Sequence, residues 1–171
     1  LYAAQAAQAL SAYDRRDHYM DLAVKQGLEN TVGIRLTHAA LQLKAGHLDE
    51  SSTSLKKLYE DEPTNVEVLR LLAELYQNKQ DFASLLKLLP ALSKQAVFDK
   101  QTLAAIEQKT YESLLPIYAQ QGLKALTHFW KEMPCTIQKN ARLLNSYAGY
   151  LMKEEAYTEA EEILLTLVNN K

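Results

Sequence analysis

Histidine and cysteine are the side chains best suited to metal binding and nucleophilic chemistry, and neither type is clustered in this sequence. None of the histidines has the i, i+4 spacing that places two imidazoles on one helical face; they are His18, His38, His47 and His128. Cys135 is the only cysteine, so no disulfide can form within the chain. We therefore expect neither a metal site nor an internal disulfide.

The sequence patterns of phosphate-binding and hydrolytic enzymes are also missing. The five glycines are scattered, whereas a dinucleotide site or a P-loop requires them in a cluster. No Gly-x-Ser-x-Gly segment is present that would expose an activated serine. The acid-rich runs at 60–62 and 159–162 are typical of solvated helix ends, not of a general acid/base pair. We expect a non-enzymatic protein without a cofactor.

The composition favours helices joined by short loops. Only five glycines and four prolines are present, and the strong helix formers Ala, Leu, Gln, Glu and Lys dominate. The net charge is −2 and the basic residues are dispersed, which disfavours a nucleic-acid partner. No apolar run approaches the roughly 18 to 20 residues needed to cross a bilayer. The sequence begins at Leu1 within a helical pattern, so we expect that upstream segments are missing from it.

An internal repeat predicts how these helices are arranged. The segment 46–48 recurs 34 residues later as 80–82. Apolar positions coincide with the same shift, and again 75 residues further on: Ala39, Ala73 and Ala148; Leu55, Leu89 and Leu164; Leu58, Leu92 and Leu167. A 34-residue period is typical of the tetratricopeptide repeat (TPR). The sequence therefore predicts an all-α, TPR-like superhelical array of about five antiparallel helix pairs, forming a single domain over residues 1–171. The predicted pairs cover about 1–26, 32–61, 66–95, 101–132 and 141–169.

Local signals predict where individual helices begin. Thr64 with Glu67 matches a capping box, and Asn65 is a rival N-cap for the same helix. Asp81 is a second N-cap candidate. Pro116 lies inside an apolar stretch, where a proline removes one backbone hydrogen bond and is expected to kink or split the helix.

A stacked array of helix pairs has a concave surface lined by the first helix of each pair, and such surfaces capture partners. Aligning the repeats places seven polar residues on that surface as candidate partner-binding residues: Arg70, Glu74, Gln77, Arg142, Asn145, Ser146 and Lys153. The alternative is that they are merely the solvated faces of amphipathic helices. Ala40 and Leu71 occupy positions where a carboxylate-clamp TPR domain has asparagine, which disfavours that type of acidic C-terminal ligand.

Beyond the generic repeat, the chain resembles the HemY family of proteobacterial proteins along nearly all of its length. The resemblance lies in the order and spacing of several segments: 3–8, Asp14, 15–22, 35–37, 41–43, Pro63, 67–71, Phe82, 85–86, 88–90, 122–123 and 129–131. It implies an inner-membrane protein with two N-terminal membrane helices and a following TPR region, linked to late protoporphyrin and haem synthesis without an established catalytic activity. This chain would be the first part of that TPR region, on the cytoplasmic side.

Several functional hypotheses remain open after this comparison. The leading one is a scaffold for a protein partner, with a haem-pathway enzyme as the expected partner. A porphyrin or haem carrier using Trp130, His128 or Cys135 is an alternative, although Phe129 and Trp130 are more typical of an aromatic anchor between helix pairs. A generic envelope-assembly TPR adaptor is another. We also expect self-association through the C-terminal helices, whose last helix carries an uncovered apolar set: Ile163, Leu164, Leu167 and Val168.

Overall fold

A computed structural model describes residues 2–23 and 32–169 of the chain, and the described residues form helices and short turns without a strand. This confirms the all-α prediction. Backbone contacts divide the chain into two compact units, Leu1–Lys100 and Gln101–Lys171. The prediction of a single domain over the whole chain stays a prediction.

The described residues of the first unit form six helices in three consecutive pairs. They are α1 (Tyr2–Ala9), α2 (Tyr13–Ala23), α3 (Val32–Lys44), α4 (Leu48–Asp61), α5 (Val66–Asn78) and α6 (Phe82–Lys94). Each odd-numbered helix packs on the helix that follows it, α5 also packs on α4, and α3 contacts α5. Residues 24–26 of the first predicted pair lie outside the described residues.

The second unit contains the remaining described helices. They are α7 (Lys100–Gln120), α8 (Leu123–Glu132), α9 (Cys135–Gln138), α10 (Ala141–Lys153) and α11 (Tyr157–Asn169). The one-turn helix α9 was not predicted. Pro116 lies inside α7, which runs as one helix through it, so the proline does not split the helix. The buried side chains of Leu114 and Leu115 hold this turn in place despite the lost backbone bond.

The turns inside the helix pairs repeat with the period seen in the sequence. Gly46, Gln80 and Glu155 have positive φ angles of 82°, 54° and 59°, and they are separated by the same 34 and 75 residues. In each case the following residue donates its backbone N–H to a carbonyl five residues earlier, for example His47 to Gln42 at 2.9 Å. This is the Schellman ending of a helix, which satisfies carbonyls that the helix itself leaves unpaired. The repeat is therefore a backbone feature as well as an apolar pattern.

Two N-terminal caps fix the first helices of two repeats in the same way. Asn65 accepts hydrogen bonds from the backbone N–H groups of Glu67 and Val68, at 3.1 and 3.3 Å, so Asn65 rather than Thr64 caps α5. Asn140 caps α10 with matching bonds. The predicted cap Asp81 is confirmed for α6, where its carboxylate accepts from the N–H of Ser84 at 3.1 Å. These caps satisfy N–H groups that have no partner inside a helix.

Candidate partner-binding groove

A groove in the first unit is lined by the first helices of its three pairs. Its volume is about 640 Å³. The lining residues come from α1, α3 and α5: Gln5, Ala9, Leu36, Thr37, Ala40, Leu41, Lys44, Glu67, Leu71 and Glu74. Among the described lining residues, none belongs to the second helix of a pair. We call this cleft the unit 1 groove, and its volume is within the range of clefts that hold small ligands or parts of a partner, about 300 to 1,000 Å³.

The lining of the unit 1 groove combines apolar and charged side chains. Leu36, Ala40 and Leu71 contribute only hydrocarbon to the lining. Ala40 and Leu71 are the two positions where a carboxylate-clamp domain has asparagine, so the groove lacks amide groups at both. Lys44 and Glu74 supply a cation and an anion on facing helices.

The sequence of α5 explains why its polar residues face this groove. Its buried residues follow helical spacing and turn one face inward: Val68, Leu69, Leu72, Ala73 and Leu75. The opposite face carries Glu67, Arg70 and Glu74, all exposed. The Arg70 guanidinium donates to the Glu67 carboxylate at 2.8 Å, an i, i+3 ion pair along the helix surface.

The structure places the three candidate residues of α5 differently with respect to the groove. Glu74 lines it. Arg70 is exposed beside it and reaches it only through its ion pair with the lining residue Glu67. Gln77 is half-buried, and its amide donates to the carbonyl of Ala73 at 3.3 Å, on its own helix. Glu74 is therefore the candidate on α5 that lies in direct reach of a ligand.

The candidates of the second unit lie on α10, and two of the four meet at a smaller cleft. Arg142 and Ser146 line a cleft of about 240 Å³ between α7 and α10, with Glu112, Leu115, Pro116, Leu143 and Tyr150. Asn145 is exposed outside this cleft. The ammonium of Lys153 lies 5.6 Å from the ring centre of Tyr150, a cation–π contact within one helix. Whether any of the seven residues binds a partner stays a prediction.

Sequence reasoning missed the groove residues contributed by α1 and α3. The 34-residue shift maps Arg70 onto Leu36 and Glu74 onto Ala40, and both of these line the groove. The repeat alignment therefore already indicated that Leu36 and Ala40 lie on the same surface as Arg70 and Glu74. Leucine and alanine are ordinary residues of an amphipathic helix, so their residue types alone do not indicate a binding surface. Lys44 and Gln5 had no comparable signal.

The aromatic residues near residue 130 form an internal stack in the second unit. Trp130 is only 7% exposed, and its ring stacks on Tyr147 with centres 4.1 Å apart and planes 3° apart. Phe129 stacks in the same manner on Tyr118, at 4.0 Å. Burial, followed by the charge of Glu159, raises the pKa of the Tyr147 phenol. The two stacks join α8 to α10 and to α7, which confirms the prediction of an aromatic anchor between helix pairs.

The remaining residues considered for chemistry lie on the surface and do not converge. His128 is exposed and lies 3.3 Å from the Glu132 carboxylate, one turn along α8. Cys135 is exposed at the start of α9. Over residues 2–23 and 32–169, no three His, Cys, Asp or Glu side chains come together in a way that could hold a metal ion. Within those same residues, no helix is both long enough and apolar enough to span a bilayer.

Comparison with known proteins identifies relatives over almost the whole chain. No family model matches it. The sequence is 26% identical over 166 residues to Protein HemY of Escherichia coli strain K12, and equally to Protein HemY of Shigella flexneri. The chain is a relative of HemY. The alignment covers 96% of this chain and 42% of the HemY sequences, so the chain spans less than half the length of these relatives. No solved structure gives a significant match.

Proposed function

We propose that the chain is a non-enzymatic TPR scaffold whose unit 1 groove holds a protein partner. The observation that carries this proposal is the position of the groove, whose described lining residues all belong to the first helices of three successive pairs. In a TPR array these helices form the concave surface on which partners bind. A partner that lay there would contact three repeats at once.

The chemistry of the groove supports capture of a protein rather than of a small charged metabolite. Its lining mixes apolar side chains with one lysine and two glutamates, which are spread over two helices. The described lining residues include no dense cluster of one charge, which would favour a phosphate or polycarboxylate ligand. Mixed apolar and charged surfaces of this kind are typical of protein–protein interfaces.

The relationship to HemY supports the pathway and the location that we propose. The partner is then an enzyme of late protoporphyrin or haem synthesis, and the chain acts at the cytoplasmic side of the inner membrane as part of a longer anchored protein. A generic envelope-assembly adaptor would have the same groove but a different partner.

The alternative of a porphyrin or haem carrier is weakened by the aromatic stack. A porphyrin would need an exposed ring face, but Trp130 is buried against Tyr147, and Phe129 is buried against Tyr118. His128 and Cys135 remain exposed for axial ligation. Titration with haemin distinguishes a haem carrier from a protein scaffold. A carrier gives a shift of the Soret band that is lost in His128→Ala and Cys135→Ala variants.

The proposed function is tested by affinity co-purification of the full-length protein from its native host. The variant Leu71→Asn replaces an apolar residue of the groove lining by a polar one. The double variant Arg70→Ala with Arg142→Ala truncates two of the candidate partner-binding residues. Ile117→Asn is the matched control for Leu71→Asn, since Ile117 is a partly exposed apolar residue that does not line the groove.

Enrichment of late haem-pathway enzymes that is lost in Leu71→Asn and kept in Ile117→Asn supports both the groove and the pathway. Groove-dependent recovery of unrelated envelope proteins would leave the scaffold role and remove the pathway assignment. Recovery that is equal in all variants would contradict the groove as the binding site.

A further inference from the structure

The lining of the unit 1 groove discriminates between an extended ligand and a helical one. Each residue of an extended peptide brings a backbone N–H and a C=O that need partners. The side chains of Leu36, Ala40 and Leu71 offer none, since they are hydrocarbon. The hydroxyl of Thr37 already donates to the carbonyl of Gly33 at 2.9 Å. An α-helix satisfies the hydrogen bonds of its interior backbone groups itself, so none of these groups is left unpaired when the helix lies against apolar side chains.

The charges of the groove define the polar part of the ligand. Glu67 is paired with Arg70 at 2.8 Å. Among residues 2–23 and 32–169, neither Lys44 nor Glu74 has an ion-pair partner within 4.0 Å. A ligand that carries a basic side chain toward Glu74 would complete that pair, and an acidic side chain would do so for Lys44.

We propose that the unit 1 groove binds an amphipathic helix of the partner, with apolar residues at i, i+3 or i+4, and i+7 on Leu36, Ala40 and Leu71. A basic residue of this helix pairs with Glu74. This helix-in-groove mode uses the apolar face for affinity and the flanking charge for orientation. The inference rests on the proposed function, because it specifies what the scaffold holds.

The direct test uses two fluorescent peptides of about 15 residues, since shorter helices are marginal in water. The first carries leucines at helical spacing with one flanking lysine, and the second has a proline replacing a central solvent-facing residue. Anisotropy titration with the 171-residue chain measures both. We expect the helical peptide to bind at least about tenfold more tightly, because a central proline breaks the helix while keeping the leucines.

Exchange of charge tests the contact with Glu74. We expect Glu74→Lys to weaken binding of the lysine peptide about threefold, and a peptide with glutamate at that position to recover the loss on the variant. Glu60→Lys is the control, since Glu60 is exposed on α4 and does not line the groove. Leu71→Asn is expected to abolish binding of every peptide. This result would also exclude adsorption of the peptides to the exposed apolar residues of α11.

The outcomes separate this inference from the function on which it rests. Equal or tighter binding of the proline peptide, lost in Leu71→Asn, would overturn the helix and leave the groove as a binding site for an extended segment. Binding that survives Leu71→Asn would overturn the helix-in-groove contact. If neither peptide binds, the helical ligand is overturned, and the co-purification with Leu71→Asn still reports on the scaffold role.

Discussion

The hydroxyl of Ser51 donates a hydrogen bond to the backbone carbonyl of Ala39 at 3.0 Å, and both residues are fully buried between α3 and α4. One turn later the Ser54 hydroxyl donates to the side-chain carbonyl of Gln42 at 3.2 Å. Serines are weak helix formers because they compete for backbone hydrogen bonds. In α4 the hydroxyls of Ser51 and Ser54 bond to the neighbouring helix, so these two serines hold α3 and α4 together.

Replacing Ser51 by alanine should lower the free energy of unfolding by about 1 kcal/mol, the net value of one buried hydrogen bond. Ser51→Leu should cost more, about 1 to 3 kcal/mol, because leucine is too large for a site filled by serine. The third repeat has Leu85 at the corresponding position, so the cost reflects packing around Ser51 rather than a rule of the repeat. Urea unfolding monitored by circular dichroism measures both changes.

Thr53→Ala is the control for these substitutions, since Thr53 is exposed on the same helix and bonds only within it. It should change stability by less than about 0.5 kcal/mol. If Ser51→Ala were as neutral as this control, the contact between Ser51 and Ala39 would not stabilise the pair.

The stack of Trp130 on Tyr147 predicts a large effect for a single truncation in the second unit. Tyr147→Ala should destabilise the protein by about 3 to 5 kcal/mol, as for other buried aromatic residues. Tyr147→Phe keeps the ring and should cost less than about 1.5 kcal/mol. Trp130 is the only tryptophan, so its fluorescence during urea unfolding follows this stack specifically.

Tyr150→Ala provides the comparison on the same helix, because Tyr150 is only half-buried and contacts Lys153. An equal loss of stability in Tyr150→Ala and Tyr147→Ala would show that α10 tolerates no truncation, and the stack would have no special role.

The sequence predicted the all-α fold well because several helix ends carry a local signal. The turns at Gly46 and Gln80 and the caps Asn65 and Asp81 are all fixed within a few residues of the chain. The helix α9 was missed, since four residues after Pro134 are too few to show a helical period. The sequence left Thr64 and Asn65 open as caps of α5. In the structure Asn65 is the cap, because its side-chain oxygen accepts from two backbone N–H groups at once.

The candidate site was predicted less completely, and the reason is physical. Glu74 lines the groove as the repeat alignment indicated, but Gln5 and Lys44 join it only because the fold brings α1, α3 and α5 to the same groove. Such meetings of distant residues depend on helix packing, which a local pattern does not specify. The burial of Trp130 likewise depends on Tyr147, which lies on another helix.

The cap of α6 should make stability sensitive to acid. Burial of Asp81 raises its pKa, but the hydrogen bonds from Ser84 and then the charges of Lys56 and Lys79 outweigh this, and the net pKa lies below the usual 3.8. A lowered pKa in the folded state means that the stabilisation is fully present above the unfolded pKa. It is lost as the pH falls through the folded value, because protonation removes the charged acceptor.

Asp81→Asn should remove the part of the acid sensitivity that is due to this cap while keeping the cap itself, as Asn65 and Asn140 do for their helices. Asp81→Ala should lower stability at neutral pH by about 0.5 to 2 kcal/mol. Thermal unfolding between neutral pH and the acid limit of stability compares the three proteins. If Asp81→Asn lost stability at low pH as steeply as the unmodified protein, the acid sensitivity would belong to other carboxylates.

The last helix has an apolar surface that its counterparts in earlier repeats do not expose. Leu55 and Leu89 are buried, whereas Leu164, at the matching position of α11, is 38% exposed. Leu164 lines a shallow apolar cleft of about 260 Å³ with neighbours from α10 and α11: Met152, Tyr157, Ala160, Glu161, Leu165 and Val168. Ile163 and Leu167 of the predicted set are half-buried.

We expect this surface to drive self-association of the 171-residue chain, because exposed apolar surface is removed from water when two copies meet. Light scattering over a range of concentrations should show a mass that rises above the monomer. Leu164→Glu with Val168→Glu should return it to the monomer value, since a dimer would then bury unpaired carboxylates. Thr158→Glu adds charge on the same helix outside the cleft and should leave association unchanged. A monomeric mass for the unmodified chain at the highest concentration would contradict this prediction.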